Sequence, residues 1–223
     1  MDVGHPLPLF PLGTVLFPDM PLSLMIFENR YMELVADLLE RPKQERAFGV
    51  VAIRDGYEVG DLAVHSAHRV GCEALVQDIE QRRDGRFELE VVGNRRFRVD
   101  GMDEQRAYLT GDVEWLDEPD GADVGEACAQ ALSAFEAYRS RLSDIRGAQV
   151  EVTELPTGPR TLSYALAAGG LFMTADRQAL LEEPDVTSRL ARLATLLRSE
   201  TAAMSALPSL PATDVVRTGW SPN

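Results

Sequence analysis

Short apolar runs separated by turn residues fill the first half of the chain, a pattern typical of β-strands. The runs are rich in β-branched and aromatic residues and cover 7–12, 22–27, 48–53, 71–81, 87–93, 96–99 and 107–116. Asp84-Gly85 separates two of them and tolerates the positive φ angles of a two-residue turn, so residues 72–93 predict a long β-hairpin. Residues 1–118 therefore predict a β-rich domain.

One helix interrupts the predicted strands. Over residues 28–41 the apolar side chains recur at helical spacing, which predicts an amphipathic helix packed on the sheet. The face that this helix is expected to bury is formed by Tyr31, Leu34, Val35, Leu38 and Leu39. The sheet is thus expected to carry one packed helix.

The pattern changes at residues 116–125, where acidic residues, a proline and two glycines end the strand pattern. Beyond this point, apolar residues at helical spacing predict long helices over 124–145 and 186–204, with short helices at 160–169 and 175–183 between them. The apolar stripe expected on the first long helix is Val124, Cys128, Leu132, Phe135, Leu142 and Ile145.

The second half of the chain therefore predicts a helical bundle over residues 119–206. Asp185 stands where an N-cap of the second long helix is expected. Residues 207–223 are rich in Pro, Ser and Thr without a sustained period, which predicts a flexible tail. Strands followed by helices predict the α+β fold class.

The charge balance and the missing motifs exclude several classes of protein. The chain has 22 Lys and Arg against 36 Asp and Glu, a net charge of −14, which argues against the phosphate neutralisation that nucleic-acid binding requires. Lys43 is the single lysine, which excludes a P-loop lysine, a Ser-Lys dyad or a Schiff-base lysine elsewhere. No G-x-S-x-G or G-x-G-x-x-G pattern occurs. We therefore expect no catalytic residue, no cofactor and no enzymatic activity.

Cysteine usage and the apolar runs predict a cytoplasmic protein. Cys72 and Cys128 do not form the dense framework of a small secreted domain. The apolar start has no basic residue before Arg30 and is broken by prolines, unlike a signal peptide. No apolar run reaches the length of about 18 residues that a membrane span needs.

A candidate metal motif, H-x2-H-x3-C, is formed by His65, His68 and Cys72. Structural zinc sites take four ligands, and no second ligand pair lies nearby in the sequence. We expect no metal here, with Cys72 as a small core residue.

One locally basic region stands out in this acidic chain. Its arginines are Arg82, Arg83, Arg86, Arg95, Arg96 and Arg98. They are a candidate basic surface for RNA or an acidic peptide. Interleaved acidic residues support the other interpretation, in which opposite charges pair across neighbouring strands.

Methionine and aromatic side chains crowd the N-terminal 32 residues and allow two interpretations. They form core, or they form an adaptable protein-binding surface, because flexible thioethers repack against varied apolar partners. The residues that fit such a polypeptide-binding patch are Phe17, Met20, Met25, Phe27 and Tyr31. The sequence leaves both interpretations open.

The segment LPLFPLGTVLFPDMPLSLMIFENRYMELV resembles the opening signature of the Lon protease N-terminal, substrate-binding domain of peptidase family S16. The matching positions are L-P-L-F-P-L at 7–12, Phe17-Pro18 and I-F-E-x-R-Y at 26–31, followed by similar segments at 70–99 and 108–119. The chain departs from related stand-alone proteins at Ser23 and Asn29, where proline is common, and at Met25, where histidine is common. The likeness covers roughly residues 6–200.

This resemblance implies a PUA-like β pseudo-barrel with one packed helix, followed by an α-helical bundle. It also implies recognition of protein substrates, without the ATPase and Ser-Lys protease modules of full-length Lon. The leading hypothesis is a non-catalytic protein that binds polypeptide segments or a protein client, linked to proteolysis or protein quality control. The alternative is a PUA-like RNA-binding module that uses the arginine-rich hairpin.

Overall fold

The structure, a computed structural model, describes residues 6–54, 66–146 and 154–206. These residues contain six β-strands and five α-helices. The strands are β1 (Leu7–Leu12), β2 (Pro21–Ile26), β3 (Ala47–Ile53), β4 (Ala67–Gln81), β5 (Phe87–Asp103) and β6 (Thr110–Trp115). The helices are α1 (Asn29–Leu39), α2 (Val124–Arg146), α3 (Pro159–Gly169), α4 (Thr174–Glu182) and α5 (Val186–Ala206). The predicted α+β class is confirmed.

The sheet closes on itself. Its strand order is β2-β5-β4-β3-β1-β6, and β5 also pairs with β6. Five strands therefore form a closed ring, while β2 lies outside it and pairs with β5. Only β1 and β3 run parallel among the paired strands of the described chain. This is the pseudo-barrel that the resemblance implied.

The length of β5 makes the closure geometrically feasible. Its first part pairs with β2, from Phe87 to Val92, and its second part pairs with β6, from Phe97 to Asp103. The register between β4 and β5 shifts twice, and such bulges bend paired strands. The prediction of two separate strands at 87–93 and 96–99 was therefore wrong.

Alternating side chains of the barrel strands build two apolar clusters. In β1, Leu9 belongs to one cluster and Phe10 to the other, because neighbouring side chains on a strand point to opposite faces. The cluster that contains Phe10 also includes the buried face of α1. Its buried members from this helix are Tyr31, Leu34, Val35 and Leu38. The prediction for Leu39 was wrong, since this side chain is 43% exposed.

The predicted β4–β5 hairpin is present, but its connection differs from the expected two-residue turn. Arg82 N donates to Arg86 O at 2.8 Å, which leaves three residues between the paired positions. Gly85 has φ 87°, whereas Asp84 does not take a positive φ. A three-residue loop that ends on a left-handed glycine is the common alternative for hairpins.

The chain divides into two compact units. The first comprises Met1–Pro119 and Ala167–Glu183, and the second comprises Asp120–Leu166 and Pro184–Asn223. Helix α4 thus belongs with the barrel, whereas the sequence analysis placed it in the bundle. Buried Gln178 ties α4 to β4 by donating to Val70 O at 3.0 Å.

In the second unit, α2 and α5 pack against each other. The residues that α2 buries are Ala127, Ala131, Ala134, Phe135, Tyr138 and Leu142. The predicted stripe was correct for Phe135 and Leu142, but its other four members are only half-buried. Three alanines are buried on this helix instead, because small side chains allow helix axes to approach closely.

The N-cap predicted for the second long helix is confirmed. Asp185 Oδ1 accepts a hydrogen bond from Ser188 N at 2.7 Å, and Asp185 Oδ2 accepts one from Ser188 Oγ at 3.0 Å. None of the helices within the described residues is both long and apolar enough to cross a membrane. The tail predicted at 207–223 lies outside the described residues.

Candidate functional site

An apolar pair, Met25 and Phe27, marks the outward face at the end of β2. Met25 is 45% exposed and Phe27 is 51% exposed. Side chains two positions apart on an extended chain share a face, and Ser23, two positions before Met25, is exposed as well. The intervening Leu24 and Ile26 point inward and are buried. Because residues 24–27 are all apolar and their side chains alternate between the two faces, an apolar patch remains on the surface of the first unit.

The other members of the predicted patch occupy different environments. Phe17 is 1% exposed and Tyr31 is 5% exposed, so both are core residues. Tyr31 stacks on Phe10 with ring centroids 4.0 Å apart, and burial raises the pKa of Tyr31 to about 12. Met20 is half-buried. Phe17 and Tyr31 are therefore inaccessible to a partner in this structure.

Gly93 explains why the Phe17 segment is buried. Asp19 N donates to Gly93 O at 2.8 Å, and Gly93 N donates to Met20 O at 3.0 Å. A side chain at position 93 would place its Cβ 2.1 Å from Phe17 O. Only glycine allows the backbone to approach β5 this closely.

An open groove runs beside Met25. Its volume is about 570 Å³, and the β4–β5 hairpin forms the rest of its lining. The lining residues are Met25, Glu80, Gln81, Arg82, Arg83, Asp84 and Arg86. The exposed apolar side chain therefore adjoins a charged surface.

Most hairpin arginines are paired with acidic neighbours. Arg82 hydrogen-bonds to Glu88, which raises the pKa of Arg82. Arg86 Nε lies 3.4 Å from Asp84 Oδ2. In the part of the chain that the structure describes, Arg83 has no ion pair, and its side chain is exposed. One hairpin arginine is thus available to an acidic partner.

Arg95 and Arg98, farther along β5, are also paired. Arg95 Nε lies 3.0 Å from Glu73 Oε2, and its guanidinium lies 3.4 Å from the centre of the Trp115 ring. Arg98 Nη1 lies 2.9 Å from Glu114 Oε2. These pairs neutralise most of the predicted basic surface.

Arg96 does not belong to a surface, and this part of the prediction was wrong. Its side chain is 2% exposed, and Nη1 donates to Leu181 O at 2.7 Å and to Glu183 O at 2.6 Å. Nη2 donates to Asp117 O at 3.1 Å, while Nε lies 3.2 Å from Glu118 Oε1. Arg96 therefore joins the barrel to the C-terminal end of α4 within the first unit.

The candidate metal motif is only partly described, because His65 lies outside the described residues. His68 Nδ1 lies 3.5 Å from Glu182 Oε1. Cys72 is fully buried, and burial raises the pKa of its thiol. Among the described residues, no group of three or more His, Cys, Asp or Glu is arranged to hold a metal ion.

Two exposed apolar residues were missed by the sequence analysis. Leu171 is 57% exposed and Met173 is 70% exposed, both between α3 and α4. The signal was available, since Gly169-Gly170 ends an apolar helix and L-F-M follows directly. Met173 offers a matched exposed methionine outside β2.

Comparison with known proteins connects this geometry to a family. Residues 6–199 match the family model described as the ATP-dependent protease La (LON) substrate-binding domain. The Lon protease of Xanthomonas oryzae pv. oryzae is 27% identical over 198 residues, which cover 87% of this chain and 23% of that protein. The Lon protease of Escherichia coli K12 is 23% identical over 197 residues, which cover 87% of this chain and 25% of that protein. The chain thus spans about a quarter of the length of these curated relatives.

Solved structures with the same fold agree. A Lon N-terminal domain protein from Xanthomonas campestris superposes with a TM-score of 0.61 at 28% identity, covering 86% of this chain and 98% of that chain. The N-terminal domain of Lon protease from the Mycobacterium avium complex also has a TM-score of 0.61, at 18% identity, covering 89% of this chain and 98% of that chain. At this lower identity the second match shows the fold alone.

Proposed function

This chain belongs to the family of the ATP-dependent protease La (LON) substrate-binding domain, and on that premise we propose that it binds polypeptide segments of client proteins without catalysing a reaction. The observation that carries the proposal is the exposure of two apolar side chains at the end of β2, Met25 within the strand and Phe27 directly after it. The proposed role lies in substrate recognition for proteolysis or protein quality control. Cys72 and Cys128 are both free thiols, which supports a reducing compartment such as the cytoplasm.

An apolar patch of this kind suits unfolded polypeptide. Unfolded segments expose side chains that folded proteins bury, and methionine adapts its shape to different apolar partners. Covering the exposed parts of Met25 and Phe27 contributes roughly 1–2 kcal/mol for each side chain. Because association costs at least about 4 kcal/mol, these two side chains require additional contacts to hold a partner.

The test compares Met25→Asp/Phe27→Asp with wild type in binding a permanently unfolded protein, fluorescein-labelled reduced and carboxymethylated ribonuclease A. Fluorescence anisotropy is expected to show at least about tenfold weaker binding by the double variant. Both replaced side chains are exposed, so the thermal melt should stay within a few degrees of wild type. Met173→Asp is the matched control and should bind like wild type.

Two results would contradict the assignment of the patch. Equal binding by the double variant and wild type would remove Met25 and Phe27 from the site. Loss of binding in Met173→Asp alone would move the site to the segment between α3 and α4. Failure of wild type itself to bind unfolded protein would oppose the proposed function.

RNA binding is the competing function, and the paired arginines oppose it. Arg82, Arg86, Arg95 and Arg98 contact acidic side chains, and Arg96 is buried. Titration with a labelled single-stranded RNA at low and physiological salt separates the two functions. Strong binding that weakens steeply with salt would favour RNA over polypeptide.

A further inference from the structure

Among the residues that the structure describes, β2 is the terminal strand of the sheet and is paired on one side only. On one side β2 forms a six-residue antiparallel ladder with β5, from Pro21 opposite Val92 to Ile26 opposite Phe87. Among the elements that the structure describes, β5 is the only one in extensive contact with β2. A strand that is paired on one side presents a row of backbone N–H and C=O groups on the other side.

The register shows which peptide groups point to this edge. Gly93 N donates to Met20 O at 3.0 Å, and this bond, one position before the ladder begins at Pro21 and Val92, shows that the peptide groups of Met20 and Gly93 face each other. Hydrogen-bonded and non-hydrogen-bonded pairs alternate in an antiparallel ladder. Pro21, Ser23 and Met25 therefore occupy the non-hydrogen-bonded positions opposite β5, and their backbone groups face outward. Pro21 fits this position because its missing N–H takes no bond from the ladder.

From this arrangement we infer that an extended polypeptide segment adds to β2 as a further strand, with backbone hydrogen bonds to Ser23 and Met25. This inference rests on the proposed function and specifies how the polypeptide is held. Strand addition supplies affinity through the main chain, while side-chain pockets supply selectivity. It therefore provides the contacts that Met25 and Phe27 lack by themselves.

The surroundings of the edge define the chemistry of the segment. Alternate side chains of an added strand would lie beside Met25 and Phe27 on the same face of the sheet, so these positions are expected to be apolar. Arg83 lines the groove that also contains Met25, and it has no ion pair among the described residues. A segment with alternating apolar residues and one acidic residue placed at Arg83 suits this edge, whereas acidic residues placed near Glu28 or Glu90 would be repelled.

A second copy of this chain is a poorer occupant. Pairing two β2 edges would bring together the acidic side chains beside them, including Glu28 and Glu90, which are exposed. Each chain also carries a net charge of −14, which opposes self-association. Light scattering at the protein concentrations used for binding should therefore show monomers. A dimer that the Ser23→Pro variant dissociates would overturn the choice of occupant.

The decisive experiment changes only the backbone of a peptide. The probe is a fluorescein-labelled peptide, Glu-Thr-Leu-Thr-Val-Thr-Leu-Ser, in which the apolar residues alternate with threonine. One derivative carries N-methyl groups on its apolar residues, and the other carries them on its threonines, so that each blocks the donors on one edge. Strand addition predicts that one derivative binds about tenfold or more weakly while the other binds like the parent peptide. Equal behaviour of the two derivatives would overturn the inference.

A pair of protein variants tests the same bond from the other side. Ser23→Pro removes an outward N–H that takes no part in the β2–β5 ladder, whereas Ser23→Ala removes only the hydroxyl that donates to Glu90 Oε2 at 2.9 Å. Weak binding of the parent peptide by Ser23→Pro and normal binding by Ser23→Ala are expected. In amide exchange by NMR, the bound peptide should protect Ser23 and Met25 in wild type. Unchanged exchange at both amides would contradict strand addition.

The failure of this inference is distinguishable from the failure of the proposed function. If the Met25→Asp/Phe27→Asp variant loses unfolded ribonuclease while both methylated peptides bind equally, the patch is correct and strand addition is wrong. If wild type binds neither the parent peptide nor unfolded ribonuclease, both fail.

Discussion

Arg96 offers a quantitative test of how the first unit is held together. Its guanidinium donates to the carbonyl groups of Leu181, Glu183 and Asp117 and lies beside the carboxylate of Glu118. The Arg96 and Glu118 side chains are 2% and 8% exposed. Replacing Arg96 with methionine retains much of the buried stem but removes every donor. The carbonyls at the end of α4 then lose a partner in a place that water reaches poorly.

The expected cost is large on the scale of protein stability. Removing one member of a buried ion pair typically costs about 3–5 kcal/mol, because the remaining charge stays buried without compensation. A domain is stable by about 5–15 kcal/mol in total. We therefore expect Arg96→Met to lose about 3–5 kcal/mol of unfolding free energy, measured by urea denaturation with far-UV circular dichroism.

Arg98→Met is the matched control on the same strand. The Arg98 and Glu114 side chains are 51% and 57% exposed, and exposed ion pairs contribute only about 0–1 kcal/mol. The control should therefore unfold close to wild type. Hydrogen exchange adds a local measurement, since the α4 amides should exchange faster in Arg96→Met than in Arg98→Met. A loss below about 1 kcal/mol in Arg96→Met, equal to the control, would refute the structural role of this arginine.

Two further predictions concern the stability of the first unit. The pKa of buried Tyr31 is about 12, above its ordinary value of 10.0, so the neutral phenol contributes stability that is complete below pH 10 and declines as the pH rises towards 12. Gly93→Ala should lower stability by more than about 2 kcal/mol, because its Cβ would lie 2.1 Å from Phe17 O. Gly125→Ala, whose Cβ reaches open space on α2, should be neutral or stabilising by up to about 1 kcal/mol, so equal thermal melts of the two alanine variants would contradict the packing argument.

Local patterns in the sequence predicted most elements of this fold correctly. The positions of β1, β2 and α1 follow from alternation and from helical spacing, since these depend on which neighbours share a face. The Asp185 cap follows equally well, because a cap acts over one turn of helix. The alanine face of α2 was missed because alanine carries a weak apolar signal, and its burial depends on how closely α5 approaches.

The candidate site was only partly predictable. The sequence marked five apolar residues near the N-terminus without showing which of them reach solvent. Close docking of the Phe17 segment on Gly93 buries Phe17, whereas Met25 and Phe27 lie on the outward face and stay exposed. Both facts depend on pairing with β5, which lies far away in the sequence.

The amino-acid sequence by itself determined the strand and helix periods, the acidic charge, the single lysine and the family signature. These features depend on residue identity and local order, which every chain carries before it folds. The tertiary structure alone decided which arginine is buried, which strands pair with each other and which apolar side chains of the described residues are accessible. Such properties arise from contacts between distant segments, as when Arg96 of β5 meets the carbonyl group of Leu181 on α4. Arg96 and Arg98 thus have opposite roles although they lie two positions apart. The side chain of Arg96 is buried within the first unit, whereas that of Arg98 is half exposed to water.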